Sequence, residues 1–274
     1  MTLFFHAPLP MLEEPFATLW RGQDVFMAVE RLQGTEFRSL ANRRTLRTEV
    51  AGAAFFVKIH RGVGWWEIFK NLLTGKRPVL GARDEWQALK ALAAAGVPSM
   101  EAVAFGERGA NPARRHSFLI TRALEPAVDL EALTQHWAVS PPPPAQKRAL
   151  ITALARQVRT MHRAGINHRD CYLCHFLLHG DAPKAVSPQL SVIDLHRAQI
   201  RPRVPRRWRD KDLAALWFSA QEVGLTRRDL LRFLRDYLER SPRAILREEA
   251  SLIARLARKA EKLAARKRRY GDAL

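Results

Sequence analysis

The sequence predicts an α+β fold in two lobes, with a small antiparallel β-rich N-terminal lobe followed by a mainly α-helical C-terminal lobe. Short alternating or aromatic runs crowd residues 35–60 and return at Val103–Gly106 and Ser117–Thr121. Stretches of helical periodicity dominate after Pro141–Pro144. The 274 residues are 47% hydrophobic, enough for a sizeable core. Residues 1–123 are assigned to the first lobe and 124–274 to the second.

Residues 35–60 read as three antiparallel strands: Thr45–Val50 alternates, Ala51-Gly52 supplies a turn, and Ala53–His60 is apolar and aromatic. Arg61–Trp66 reads as a loop with glycine freedom, and Glu67–Leu73 as a short helix. Val79–Ala95 is expected to be helical, with Trp86, Leu89 and Leu92 on one face and Gly96 as C-cap. Val103–Gly106 and Ser117–Thr121 form a further strand pair, with Gly109, Asn111 and Pro112 in the turn. Leu124–Val128 reads as a hinge and Pro141–Pro144 as a stiff linker, its proline suited to a helical first turn. The helix Lys147–Ala164, with Leu150, Leu154, Val158 and Met161 on one face, delivers the chain to His168. Apolar strands follow at Phe176–Leu178 and Leu190–His196, then helices at Asp210–Val223, Arg227–Leu238 and Arg243–Arg269. There are no internal repeats.

Forty-six basic residues against 27 acidic ones give a formal charge of +19. That field favours polyanionic partners: nucleic acid, anionic lipid, phosphorylated glycan or an acidic protein. Cys171 and Cys174 are too few for a secreted disulfide framework. Met1–Leu12 has no cationic start and is broken by Pro8 and Pro10, so no signal peptide is expected. No apolar run approaches the ~18 residues of a membrane span. A cytosolic protein, lying on a membrane surface at most, is expected.

The chemistry concentrates in Asn167-His168-Arg169-Asp170-Cys171-Tyr172-Leu173-Cys174-His175. His-Arg-Asp, four residues, a metal-holding Asn and an apolar strand is the catalytic-loop signature of protein-kinase-like phosphotransferases. Here His175 stands where Asn is expected, and Phe176-Leu177-Leu178 is the strand. Val192-Ile193-Asp194 ends an apolar strand in the acid that such enzymes use to hold magnesium, and Phe56-Val57-Lys58-Ile59 puts a lysine in a β-like run. The order of the three pieces makes the fold bilobal and protein-kinase-like. Phosphoryl transfer requires positioning and charge neutralisation, so Asp170 is assigned to the acceptor hydroxyl, Asp194 to Mg2+ and Lys58 to the ATP phosphates. Glu85 is the expected partner of Lys58, with Glu67 as rival. No Gly-x-Gly-x-x-Gly loop is present. Asn42-Arg43-Arg44 lies between the first two strands instead, either touching phosphates by charge or forming an exposed basic turn. His175 either donates to Asp170, contacts phosphate or ligates the metal, although magnesium prefers oxygen.

These stretches, with Arg43–Arg47, Phe56–Gly62, Asn71–Leu73, Val79–Ala82, Asn167–His179, Val192–Ala198, Trp208 and Lys211–Leu216, closely resemble the lipopolysaccharide core heptose(I) kinases of Gram-negative bacteria. The likeness runs from Glu14-Pro15-Phe16 to Arg269-Tyr270-Gly271-Asp272. It implies an ATP- and magnesium-dependent kinase acting on the 4-hydroxyl of the first inner-core heptose, at the cytoplasmic face of the inner membrane. By motif position it implies Asp170 as base, Lys58 as nucleotide lysine and Asp194 as metal ligand. His175 and the glycine-poor loop look like traits of that family.

An anionic membrane glycolipid as acceptor fits the charge. Arg169 and Arg197 in the motifs, and Arg201, Arg203, Arg206, Arg207 and Arg209 after Asp194, are candidate acceptor ligands; a solvated basic loop is the plainer alternative. The last helix, with Arg255, Arg258, Lys259, Lys262 and Arg266–Arg269 around Leu252, Leu256 and Leu263, suits docking on anionic lipid. An acidic protein such as an acyl carrier protein is a further partner suggested by charge. No nucleic-acid recognition module is present. Three alternatives stand beside the sugar kinase. One is a kinase acting on protein hydroxyls. Another is a catalytically weak kinase-like protein that binds membrane or acidic partners. The third is a zinc site built from His168, Cys171, Cys174, His175 and His179.

Overall fold

The computed structural model describes residues 10–40, 42–75, 78–180 and 187–271. Most of the Met1–Leu12 segment read as lacking a signal peptide, and Asp272 at the end of the family likeness, lie outside the described residues. The chain forms two compact units: Met1–Lys90 with Met100–Ala123, and Ala91–Ser99 with Leu124–Leu274. Residues 91–99, assigned from sequence to the first lobe, therefore cluster with the second unit. The Pro98 carbonyl accepts the backbone N–H of Val192 at 3.0 Å and Nε2 of Gln157 at 3.1 Å, which ties this segment there.

In the first unit the strands are β1 (Met11–Leu12), β2 (Thr35–Leu40), β3 (Arg43–Val50), β4 (Ala53–His60), β5 (Ala102–Arg108) and β6 (His116–Arg122). They make one antiparallel sheet in the order β1-β5-β6-β4-β3-β2. The β3–β4 turn uses Ala51 and Gly52 at φ 51° and 76°, the left-handed pair that a two-residue hairpin needs. Leu46, Val57 and Ile120 lie in register across β3, β4 and β6. With Phe55, Ile59, Val103 and Phe118 they form a core covered by Phe16 and Trp20 around α1 (Phe16–Leu19) and by Phe26 and Val29 of α2 (Val25–Glu30). Side chains alternate along a strand, so Lys58 points away from the face that buries Val57 and Ile59. The sequence offered no periodicity for β1, α1 or α2, each too short to show one.

Two helices differ from expectation. α3 spans Gly64–Leu73, so Trp65 and Trp66 are helical rather than in a loop; only Ile68 of this helix is buried. α4 spans Arg83–Ala94 and starts later than Val79. Its entry is set by tertiary bonds: Ser117 Oγ accepts the Ala82 N–H at 3.0 Å, and Arg83 pairs with the buried Glu107. Trp86 stacks on Phe105 at 4.2 Å, which fixes the rotation of the α4 N-terminal turn.

In the second unit, β7 (Ala127–Asp129) occupies the segment read as a hinge, and α5 (Leu130–Thr134) follows, capped by Asp129. α6 spans Pro144–Arg163, and β8 (Ile166–Asn167) leads into the His-Arg-Asp stretch. β9 (Phe176–His179) and β10 (Leu190–Val192) join β7 in a three-stranded sheet, while β11 (Gln199–Ile200) pairs with β8. Gly165 lets β8 approach: a Cβ there would lie 1.8 Å from the Arg201 carbonyl oxygen. α7 (Arg206–Ser219), α8 (Arg227–Leu238), α9 (Pro242–Glu248) and α10 (Ala250–Tyr270) complete the unit. The single helix expected over Arg243–Arg269 is thus broken at Glu249, whose ψ of 16° departs from helical geometry. Leu252 and Leu256 of α10 are buried, so its apolar stripe faces the protein body. Leu130, Trp137, Leu150, Trp217, Leu230 and Leu256 line an apolar cavity of about 170 Å³.

Candidate active site

In the first unit Lys58 Nζ lies 2.7 Å from Oε1 of Glu85. Glu85 is 1% exposed, and its Oε2 has no hydrogen-bond partner among the described residues. The pair joins β4 to the first turn of α4. The rival Glu67 pairs with Lys70 within α3, so the structure selects Glu85. Arg43 and Arg44 do not form a turn: both begin β3, opposite His60 and Ile59. Arg44 is engaged by Glu36 at 2.7 Å and by the Glu30 carbonyl at 3.1 Å, whereas Arg43 Nε is buried without a hydrogen-bond partner among the described residues.

The second unit carries the loop. His168 is fully buried, and its Nε2 donates to the Ile193 carbonyl at 2.9 Å. Burial disfavours its charged form and lowers its pKa below the ordinary histidine value. Arg169 has a φ of 75°, a strained conformation for a residue with a Cβ that something must hold. Asp212 of α7 does so. Its Oδ2 accepts the backbone N–H of His168 at 2.6 Å, and its Oδ1 that of Arg169 at 2.8 Å. His162 Nε2 adds a third contact to Oδ2 at 3.2 Å, with its Nδ1 on the Tyr237 hydroxyl at 2.8 Å. Asp212 is wholly buried and was not singled out for any role by sequence reasoning. The available signal was an acid at helical spacing between Trp208 and Leu216.

Asp170 follows this clamp. A single nitrogen of Arg197, Nη1, donates to both its carboxylate oxygens at 2.8 and 3.1 Å. Arg197 is therefore bound to Asp170 rather than free for an acceptor. The Asp170 carbonyl oxygen accepts from His175 Nδ1 at 2.7 Å. That acceptor requires a proton on Nδ1, and the other ring nitrogen, Nε2, lies 3.6 Å from Asp194 Oδ2. Asp194 has a φ of 57°, and its Oδ1 accepts from His196 Nδ1 at 2.8 Å. A carboxylate oxygen and an imidazole nitrogen at this separation could hold a cation between them, and the oxygen is the donor type that Mg2+ would prefer.

The other candidate arginines divide. Arg169 is buried, and its guanidinium lies 5.1 Å from the Trp208 ring; burial lowers its pKa. Arg201 is spent on Asn167 and Gln199, and Arg209 on Asp210, so neither is an open acceptor ligand here. Arg203, Arg206 and Arg207 are exposed. Arg206 and Arg207 open α7, whose first turn holds no acid, so cations sit at the positive end of a helix dipole where an anion is favoured. Lys211, given no role from sequence, lies 5.8 Å from the Trp208 ring and feels the charge of Asp170; burial outweighs that attraction and lowers its pKa. Of the proposed zinc ligands, His179 binds Ser191 Oγ and His168 the Ile193 carbonyl. Burial pushes the Cys171 thiol well above its ordinary range and Cys174 up to about 12.

A strand lysine paired to a helix glutamate, and a loop aspartate followed by an aspartate two residues beyond a strand, define a kinase-type phosphotransferase, which takes its phosphate from ATP. Residues 27–237 match the lipopolysaccharide kinase (Kdo/WaaP) family, and the chain belongs to that family. It is 64% identical over 265 residues to the lipopolysaccharide core heptose(I) kinase WaaP of Pseudomonas aeruginosa, covering 96% of this chain and 99% of that one. The Escherichia coli protein of the same name is 53% identical, over 92% of this chain and 96% of its own. A solved structure described as WaaP in complex with acyl carrier protein shares 58% identity and a TM-score of 0.81, covering 93% of this chain and 99% of that chain.

Proposed function

We propose that the chain phosphorylates the 4-hydroxyl of the first heptose in the lipopolysaccharide inner core, using ATP and Mg2+. The observation that carries this reading is 64% identity, across nearly the whole chain, to a heptose(I) kinase. The loop geometry supports it, since Asp170 is held at the end of a buried, clamped segment.

Asp170 accepts the hydroxyl proton and aligns the oxygen, and Arg197 fixes the rotamer of its carboxylate. Lys58, held by Glu85, takes the ATP phosphates, with Arg43 as a further cation toward them; Arg44 joins only by leaving Glu36. Asp194 and, more weakly, His175 would hold Mg2+, which when bound would neutralise phosphate charge. Arg206 and Arg207, with Arg203, meet the anionic groups of the acceptor. The first unit is the nucleotide-binding lobe and the second the catalytic and acceptor-binding lobe.

No helix among the described residues is long and apolar enough to cross a membrane. We place the enzyme at the cytoplasmic face of the inner membrane, where its glycolipid acceptor is made, with the basic face of α10 toward anionic lipid. The solved relative is in complex with acyl carrier protein, and a formal +19 suits an acidic partner of that kind for this chain.

The test is transfer from labelled ATP to a heptose-bearing inner-core acceptor. Asp170→Asn should lower kcat about 10²–10⁴-fold with the fold intact, and Asp194→Asn should remove the response to magnesium. Turnover by Asp170→Asn at the native rate defeats the assignment. Transfer to protein hydroxyls with none to the glycolipid moves the chain to the protein-kinase reading.

A further inference from the structure

We infer that α3 is a membrane-insertion element, its exposed face entering the boundary between headgroups and acyl chains of an anionic bilayer. The inference rests on the reading of a membrane-borne acceptor. Trp65, Trp66, Phe69, Leu72 and Leu73 are all exposed, with Trp66 at 80% and Leu73 at 88%. Their spacing i, i+1, i+4, i+7 and i+8 puts them on one side of the helix. Ile68 alone anchors α3 to the protein. The polar residues close among themselves: Glu67 pairs with Lys70 at 3.8 Å, and Asn71 Nδ2 donates to the Glu67 carboxylate at 2.8 Å. Trp65 stacks on Phe69 at 5.8 Å, making a continuous aromatic surface.

Five large apolar side chains along about two and a half turns of exposed helix exceed what scattered surface hydrophobics account for. Charge decides the occupant. A second copy would bring two bodies of formal +19 together, whereas an anionic bilayer attracts both the protein as a whole and Lys70 at the patch. Tryptophan favours the bilayer interface over the acyl interior, and the patch carries two. α10 cannot supply this apolar contact, because Leu252 and Leu256 are turned into the protein.

Full-length protein is sedimented with vesicles of phosphatidylethanolamine and phosphatidylglycerol, and with phosphatidylcholine alone. The native chain should partition onto the anionic vesicles, and lipids brominated on their acyl chains should quench its tryptophan emission. Trp66→Ser combined with Leu73→Ser should lower the partition coefficient at least about tenfold, the loss of burial for two large apolar side chains. Val139→Ser, at an equally exposed residue of the second unit, should leave partition unchanged. Native partition by the double variant overturns the inference. So does a double variant that still binds vesicles but loses self-association or capture of acyl carrier protein, which would make the face a protein interface. Phosphorylation of a lipid-free heptose oligosaccharide separates the two readings. If the native chain phosphorylates neither it nor the glycolipid yet the double variant loses vesicle binding, the proposed function falls and the role of α3 stands.

Discussion

Oδ1 of Asp212 accepts the backbone N–H of Arg169 at 2.8 Å while Arg169 sits at a φ of 75°. The bond runs from a helix 43 residues downstream to the residue just before Asp170. A left-handed arginine costs on the order of 1 kcal/mol or more, and a charged acceptor on two successive amides offsets it. The loop geometry is thereby decided by α7. Asp212→Ala leaves the buried N–H groups of His168 and Arg169 unpartnered, which should cost about 2–5 kcal/mol in urea unfolding. Asp212→Asn retains one oxygen and should fall between, with kcat lowered more than KM rises. Native stability in Asp212→Ala would show that the clamp is incidental.

The Lys58–Glu85 pair separates stability from activity. Lys58→Met strands a carboxylate that is 1% exposed, so it should destabilise by about 1–3 kcal/mol, less than a wholly buried pair because Lys58 keeps some exposure. Adding Glu85→Gln should restore most of that stability and none of the activity. A double variant that recovers turnover would remove Lys58 from the phosphate site.

Arg197 touches Asp170 through one nitrogen rather than a two-pronged fork. A point donor can replace it. Arg197→Lys should keep most of kcat, while Arg197→Ala should lose roughly 10–100-fold through misplacement of the carboxylate. The pair is partly exposed, so the change in stability should stay under about 1 kcal/mol. Equal kinetics for the lysine and alanine variants would show that Arg197 does not position Asp170.

Acid should weaken the fold above the carboxylate range. His168 has a folded pKa lowered by burial, and His116 likewise. The unfolded chain therefore binds more protons just below the ordinary histidine value of 6.5. Stability is full above that pH and is lost as pH falls toward the depressed folded values. The urea midpoint should drop between about pH 7 and 5.5, and His168→Gln, whose amide still reaches the Ile193 carbonyl, should flatten the slope. An unchanged slope in that variant would assign the acid response to other groups.

Much of this was legible in sequence because it is local. The hairpin at Ala51-Gly52, the strand carrying Lys58, the α6 stripe and the α8 boundaries follow from alternation, turn chemistry and helical period. The order Lys58, Asp170, Asp194 was legible because it is a property of the chain itself. The late start of α4 was not, since a tertiary bond to Ser117 decided it, and neither were the break at Glu249 and the helical setting of Trp65 and Trp66. The site divided in the same way. Sequence named the acids, the lysine and Glu85 as its expected partner with Glu67 as rival, but Arg197 on Asp170 rather than on an acceptor, and Asp212 beneath the loop, became visible only in three dimensions. Residue type and spacing determine which chemistry a chain can perform. Which cation meets which carboxylate depends on contacts between residues tens of positions apart, and no local pattern encodes those.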